Sequence, residues 1–289
     1  MSTPSTQAEI IIGALPYIQA FRGTTVVVKY GGNAMVDAEL TAGIMQDLIL
    51  MRLVGMLPVF VHGGGPQIDQ AMKTAGLQPR FVQGLRVTDR DTVRIVERVL
   101  VGEINQEIVA TINRLGGSAV GLSGKDGGLI RARKAAPART ADGQSVDLGL
   151  VGEVAGVDPR PIRTLLEAGY LPVIAPTAAD AEGVTYNINA DVVAGEVAAA
   201  LVAEKLVLLT DTDGILDRQG GLLSTLSRAD VDRLVADGTI SRGMLPKVQA
   251  CLTALRGGVG KTHIINGTRT HALIEELLTP EGVGTEIVG

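Results

Sequence analysis

The chain has no tryptophan, and aromatic residues make up only 2% of its 289 positions. Single-stranded nucleic acid is held on aromatic faces and along basic grooves. Net charge here is −5 and no basic block interrupts the sequence, so nucleic acid is excluded as the main partner. There is one cysteine, Cys251. A disulfide framework within the chain is impossible, a structural zinc site lacks its ligands, and Cys251 reads as a small core residue inside a helix. No apolar run approaches the ~20 residues that a membrane helix needs. The opening Met1-Ser2-Thr3-Pro4-Ser5-Thr6 is polar, reads as frayed, and lacks the basic-then-apolar pattern of a secretory leader. These absences point to a cytoplasmic protein.

What is present is apolar patterning. Hydrophobic residues reach 46%, enough for a large core, and the length suits two domains or one domain of two lobes. Ile10, Ile11, Ala14, Leu15 and Ile18 recur at helical spacing and predict a helix over Glu9–Phe21, kinked at Pro16. It serves either a subunit contact or a fold back onto its own domain. Strands are then expected at Thr25–Tyr30, Pro58–His62, Ser118–Leu122, Leu129–Arg133, Leu148–Val157, Leu171–Ala175, Thr185–Asn189, Leu206–Thr210, Lys261–Asn266 and Gly284–Val288. A hairpin or extended excursion is expected over Arg80–Thr88, and a polar, mobile connection over Lys134–Asp147. Between the strands lie helices. The longest is predicted from Asp89 to Leu115 on the stripe Val93, Val96, Leu100, Ile104, Ile108 and Ile112. This alternation indicates a parallel-rich α/β sheet with helices on both faces. We expect two lobes on one continuous sheet, divided near Asp180.

Three glycine clusters follow predicted strands: Gly31-Gly32 after Lys29-Tyr30, Gly63-Gly64-Gly65 after His62, and Gly214 at the end of Thr210-Asp211-Thr212-Asp213. Glycine lets a backbone approach a ligand and aim its N–H groups at it, and helix N-termini attract anions. Together these turns suggest a polyanionic ligand at one sheet edge, the setting of phosphoryl transfer. Two familiar phosphate motifs fail. Gly260-Lys261-Thr262 lacks the glycine required at Leu255 and precedes a strand, and Gly31-Gly32 lacks the dinucleotide spacing.

Lys29, inside a β-branched run, is either a snorkelling strand-end lysine or an ammonium for a transferring phosphoryl group. His62 reads as a hydrogen-bonding structural histidine. In Asn187-Ile188-Asn189-Ala190-Asp191, Asn189 or Asp191 reads as a cap of the following helix, and since all three polar residues cannot be caps, at least one is free to orient ligands. Thr210–Gly214 suits Mg²⁺, a nucleotide or an ordinary acidic turn. Lys247, in Gly243-Met244-Leu245-Pro246-Lys247, starts a helix where a cation meets an unfavourable dipole, as if an anion normally sat there.

Taken together, Val28–Ala34, Val61–Ile68, Gln83–Thr88, Tyr186–Asp191, Leu209–Gly214 and Gly243–Lys247 resemble the amino acid kinase family. Within it they resemble the branch that phosphorylates N-acetyl-L-glutamate, in its arginine-inhibited hexameric form. The resemblance covers nearly the whole chain. It implies a three-layer αβα sandwich around a mostly parallel sheet, with an extra N-terminal helix over residues 1–22. An acyl-amino-acid-binding lobe over 23–180 and a nucleotide-binding lobe over 181–289 would follow.

The implied activity is ATP-dependent phosphorylation of the substrate's γ-carboxylate on the acetylated route to arginine, with Mg²⁺ carried by the nucleotide and no protein metal ligand assigned. By matching position, Lys29 and Lys247 stabilise the phosphoryl group and Asp191 organises them. Gly64, Gly65, Arg86, Asn187 and Asn189 bind substrate. Gly31, Gly32, Thr210, Asp211, Asp213, Gly214, Gly243 and Met244 lie along the nucleotide. Tyr17, Lys205, His263, Glu276 and Gly282 are implied for an arginine site. A homohexamer built as a trimer of dimers and a PII-type signalling partner are further implications. Competing readings are a sibling kinase for glutamate, aspartate or a nucleotide monophosphate, and a non-catalytic amino-acid sensor. The sensor would be expected to lose one of the two lysines, and both are present. An NAD-binding oxidoreductase lacks its fingerprint.

Overall fold

The computed structural model describes residues 4–32, 35, 37–140, 143–279 and 282–289. Met1–Thr3 of the polar opening, Asn33 and Ala34 beyond the first glycine pair, and two residues of the 134–147 connection lie outside the described residues. The first described elements are helices α1 (Pro4–Gly13) and α2 (Leu15–Phe21), in place of one kinked helix. The break falls at Ala14. Pro16 sits in the first turn of α2, where its missing N–H forfeits no helical bond. Tyr17, Ile18 and Phe21 pack on the core, whereas Ile10, Ile11 and Ile12 of α1 remain exposed.

Strand β1 (Thr25–Tyr30) leads through α3 (Ala38–Leu53) to β2 (Leu57–His62) and α4 (Gly65–Thr74). The hairpin of β3 (Phe81–Val82) and β4 (Leu85–Arg86) occupies the expected excursion. The long helix is three segments: α5 (Arg90–Glu97), a π-helical stretch over Arg98–Ile104, and α6 (Asn105–Arg114). Asp89 caps α5 by accepting the Thr92 N–H at 2.8 Å. At the end of the wide stretch, the Asn105 N–H reaches back to the Leu100 carbonyl, five residues away. Asn105 is buried beside Ile104 and shares the inward face of α6 with Ile108 and Ile112.

The chain continues through β5 (Ala119–Ser123), β6 (Ile130–Lys134), β7 (Ala138–Arg139), β8 (Ser145–Val146) and β9 (Gly152–Val157). The polar 134–147 connection therefore contains a β7–β8 hairpin, whose strands are too short to show a period. Next come α7 (Arg160–Glu167), β10 (Leu171–Ala175), β11 (Thr177–Ala179), β12 (Thr185–Asn187), α8 (Ala190–Leu201) and β13 (Lys205–Thr210). The remaining elements are β14 (Thr225–Ser227), α9 (Arg228–Ala236), α10 (Met244–Arg256), β15 (Lys261–Asn266), α11 (Ala272–Leu278) and β16 (Thr285–Val288).

Eight strands form one sheet in the order β14-β16-β15-β13-β1-β2-β10-β5, parallel except between β15 and β16. A smaller sheet runs β12-β11-β6-β9. One core lies between the large sheet and α8 and α10, and the other beneath α3, α6 and α11. Period-2 alternation sends Val26, Val28 and Tyr30 of β1 to the α3 side and Val27 to the α8 side. Lys29 thus falls on the α8 side. On β2, His62 shares the α3 side with Phe60.

Helices α8 and α10 approach closely at Gly195, one turn after Asp191. A Cβ there would lie 2.7 Å from the Ala250 carbonyl oxygen and 3.0 Å from its Cα, and backbone of α10 cannot yield as a side-chain tip can. We predict that Gly195→Val lowers the unfolding free energy by about 1–3 kcal/mol, as overpacking does. Urea denaturation measures it, and an unchanged midpoint would show that α10 is not seated as described.

Candidate active site

Strands β13, β1 and β2 are neighbours in the sheet, so the polar and glycine turns at their carboxyl ends come side by side. Chain connections leave β1 toward β2 on one side while β13 flanks it on the other. A crevice at strand carboxyl ends beside such a reversal is the usual ligand position in open α/β sheets.

Lys29 on β1 and Lys247 in the first turn of α10 both reach Asp191, which sits in the first turn of α8. Lys247 Nζ donates to Asp191 Oδ2 at 3.0 Å. Lys29 Nζ lies 2.8 Å from Oδ1, an ion pair whose alignment falls short of a hydrogen bond. Lys29 and Asp191 are each 5% exposed. Burial pushes the Lys29 ammonium below its ordinary pKa and Lys247 adds to this, while Asp191 offsets part of the shift. Burial works against ionised Asp191, but the two ammonium groups outweigh it and hold the carboxyl below its ordinary range. The anion that the α10 N-terminus was expected to require is in part this internal carboxylate.

A cavity of about 560 Å³ opens beside the pair. Lys29, Lys247, Gly31, Gly32, Gly65, Arg86, Thr210, Asp211, Gly243 and Met244 line it, all singled out from sequence. Thr212, within the Thr210–Gly214 turn, also lines it, together with Asp69, Phe81 and Pro66, to which the sequence assigned no site role. Asp69 stands one helical turn after Gly65 on α4, which was the available signal. Arg86 Nη1 donates to Asp69 Oδ1 at 2.5 Å, Nη2 donates to the Gly65 carbonyl at 3.3 Å, and the guanidinium stacks 4.7 Å from the Phe81 ring centre. The fork is therefore already partly engaged within the protein.

Other expected residues lie behind or away from this cavity. The Asn189 side-chain oxygen accepts the Asp191 and Val192 N–H groups, so it caps α8. Asn187 Nδ2 donates to Thr88 Oγ1 at 3.3 Å. Gly214 packs against Thr285 with a φ of +138°. Asp213 accepts from Asn266 Nδ2 at 2.8 Å and lines a second, larger cavity.

That second cavity, about 1040 Å³, brings together Tyr17, Lys205, His263, Glu276 and Gly282. His263 Nδ1 lies 2.7 Å from Glu276 Oε1, and Glu276 Oε2 accepts the Val283 N–H at 2.7 Å. Lys205 Nζ stands 3.8 Å from Glu276 and 5.0 Å from the Phe21 ring centre, joining α2 to β13 and α11.

The model of the amino acid kinase family matches residues 24–266. The chain is 52% identical over 285 residues to a protein of Ralstonia nicotianae named acetylglutamate kinase, covering 98% of this chain and 92% of that one. It is 51% identical over 289 residues to the acetylglutamate kinase of Syntrophus aciditrophicus, covering 99% and 98%. Among solved structures, N-acetylglutamate synthase from Neisseria gonorrhoeae, complexed with coenzyme A and N-acetyl-glutamate, aligns with a TM-score of 0.85 at 28% identity. The match covers 98% of this chain and 63% of the synthase. Carbamate kinase from Giardia lamblia bound to AMP-PNP aligns with a TM-score of 0.65 at 18% identity, over 92% of this chain and 98% of that one, a likeness of fold.

Asp191→Asn leaves the buried Lys29 ammonium and the half-buried Lys247 ammonium without their counter-ion. Such a loss typically costs about 3–5 kcal/mol. Because the folded-state pKa of Asp191 lies below the ordinary 3.8 of the unfolded chain, its contribution is fully present above that value and fades only as pH falls through the depressed one. The stability gap between wild type and variant in urea should thus be the same at pH 7 and pH 5. A gap that closes by pH 5 would contradict the pairing.

Proposed function

The chain belongs to the amino acid kinase family, and on that premise we propose how its site works: it transfers the γ-phosphoryl group of ATP to the side-chain carboxylate of N-acetyl-L-glutamate. The products are N-acetyl-L-glutamyl 5-phosphate and ADP, and the step lies on the acetylated route to arginine. The observation that carries this reading is the pair Lys29 and Lys247 on the wall of a glycine-lined cavity, joined behind it by the buried Asp191.

The acceptor is already a carboxylate nucleophile, so no general base is required. The obstacle is repulsion between that carboxylate and the γ-phosphate. Lys29 and Lys247, arriving from opposite sides of Asp191, place positive charge where the migrating group gathers negative charge. Mg²⁺, held by the nucleotide phosphates, supplies further charge neutralisation. Gly31, Gly32, Gly64 and Gly65 offer backbone N–H groups. Arg86, steadied by Asp69 and Phe81, takes the substrate's α-carboxylate on its uncommitted edge. The nucleotide lies along Thr210, Asp211, Gly243 and Met244 of the 181–289 part and reaches Gly31 and Gly32 of the 23–180 part, where Gly65 and Arg86 take the acyl amino acid.

We further place arginine in the larger cavity, its cationic groups facing Glu276 and its carboxylate facing Lys205. The exposed Ile10, Ile11 and Ile12 of α1 suit a contact between subunits, as in a hexamer of interlaced dimers.

ATP turnover measured in parallel with N-acetyl-L-glutamate, glutamate and aspartate tests the substrate, and a preference for either free amino acid would overturn it. Added L-arginine should lower the rate, and an indifferent enzyme removes the regulatory proposal. Lys29→Ala and Lys247→Ala should each reduce kcat by about 10²–10³-fold, the usual cost of one transition-state donor, with KM changed far less. Near-normal kcat in both variants would remove their assigned role.

A further inference from the structure

His62 and Asn105 form a polar contact inside the core that the reaction described above does not use. His62 is fully buried and Asn105 is 1% exposed. His62 Nδ1 lies 2.8 Å from the Gly63 carbonyl oxygen. A carbonyl only accepts, so Nδ1 carries the proton and Nε2 holds a lone pair. Asn105 Nδ2 fits that lone pair at 3.1 Å, and its other N–H goes to the Val173 carbonyl at 3.0 Å. Both acceptors require the amide nitrogen at this end of Asn105, which fixes the amide orientation as well as the ring tautomer.

The peptide plane carries the consequence. In a trans peptide the carbonyl of one residue and the N–H of the next point to opposite sides. Drawing the Gly63 carbonyl onto the buried ring turns the Gly64 N–H away from that ring. The Gly63 N–H is itself fixed on the Tyr30 carbonyl at 2.8 Å, which ties this turn to the one after Lys29. Behind Gly64 stand Leu100 and Ile104, close enough that a Cβ on Gly64 would lie 2.7 and 2.5 Å from their terminal methyl carbons. Both belong to the π-helical stretch that ends immediately before Asn105.

We propose that His62 and Asn105 are positioning residues for phosphoryl transfer: the Asn105 amide holds His62 as the Nδ1–H tautomer, and His62 aims the Gly64 N–H at the reacting groups. The proposal rests on the kinase reading above. Neither residue touches substrate. Burial also pushes His62 down to about 4, so the ring stays neutral through the physiological range.

The test begins with wild-type turnover of ATP and N-acetyl-L-glutamate; its absence would overturn the kinase reading and leave the tautomer measurement standing by itself. Ring ¹⁵N NMR is tractable because the chain has three histidines. His62 should show the Nδ1–H tautomer and no titration from pH 5 to 9. An Nε2–H ring, or titration near 6.5, overturns the inference whatever the variants do.

Asn105→Asp replaces the donor by an acceptor of the same shape and draws the ring proton to Nε2, which turns a lone pair toward the Gly63 carbonyl. At pH 8 kcat should fall by about 10–10²-fold, the scale of a small misplacement in a site, with KM for both substrates changed less. On acidification, the second ring proton restores the Nδ1–H donor, so kcat of this variant should recover toward pH 6. Asn105→Ala should lose rate without recovery at any pH. A wild-type pH profile in Asn105→Asp at reduced or normal rate would refute a tautomer-dependent role. Should the variants fail to fold, the wild-type ring spectrum still decides.

Discussion

One carboxylate holds this site together. Two ammonium groups converge on Asp191 in a nearly dry wall. Unit charges 4 Å apart at an effective dielectric of 20 interact by about 4 kcal/mol, so two lysines meeting there without an anion would spread apart or lose a proton. Asp191 removes that repulsion, and its place in the first turn of α8 adds a favourable dipole. The net charge of the set is still positive by one. In the proposed reaction that surplus is what a phosphoryl group would meet on entering, and no large basic surface would be needed to provide it.

Three separate folding facts deliver the three charges. Alternation along β1 sends Lys29 to the α8 side of the sheet. The Asn189 cap fixes where α8 starts and therefore where Asp191 points. Gly195 lets α10 lie close enough for Lys247 to reach. The contact is thus a product of the sheet, a helix start and a missing methyl group, and each is local in sequence although the charges are far apart in the chain.

Much of this could be read from the residues. The buried strands Thr25–Tyr30, Leu171–Ala175 and Lys261–Asn266 appear where their β-branched and aliphatic runs predict, because such runs suit strands with a neighbour on each edge and both faces covered. Lys29, Lys247 and the glycine turns were legible since a charge in an apolar run and repeated glycines at strand ends both contradict simple packing. The three-residue strands β11 and β14 and the β7–β8 hairpin were not, being shorter than one readable period. The π-helical stretch was invisible for another reason. The stripe Val93 to Ile112 continues on both sides of it, and one inserted residue alters the phase too little for apolar spacing to register. Asp69 escaped because its partner Arg86 is seventeen positions on, and helix periodicity says nothing of a hairpin folding back.

The two faces of the sheet use polarity differently at the same strand ends. On the α8 side the site keeps full charges, matched two against one. On the α3 side the polar pair is neutral, and it has to be. A protonated His62 would add a buried cation with no carboxylate to offset it, beside a backbone carbonyl that can satisfy only one of its N–H groups. Burial and the Asn105 donor both favour the uncharged ring, the first by desolvation and the second by occupying the lone pair that a proton would take. Charge chemistry is thereby confined to one side of Gly31 and Gly63, while the other side directs backbone dipoles. A site that must bind two mutually repelling anions gains from that division. Its cations need freedom to meet a moving phosphoryl group, whereas its N–H donors are most effective when they do not move at all.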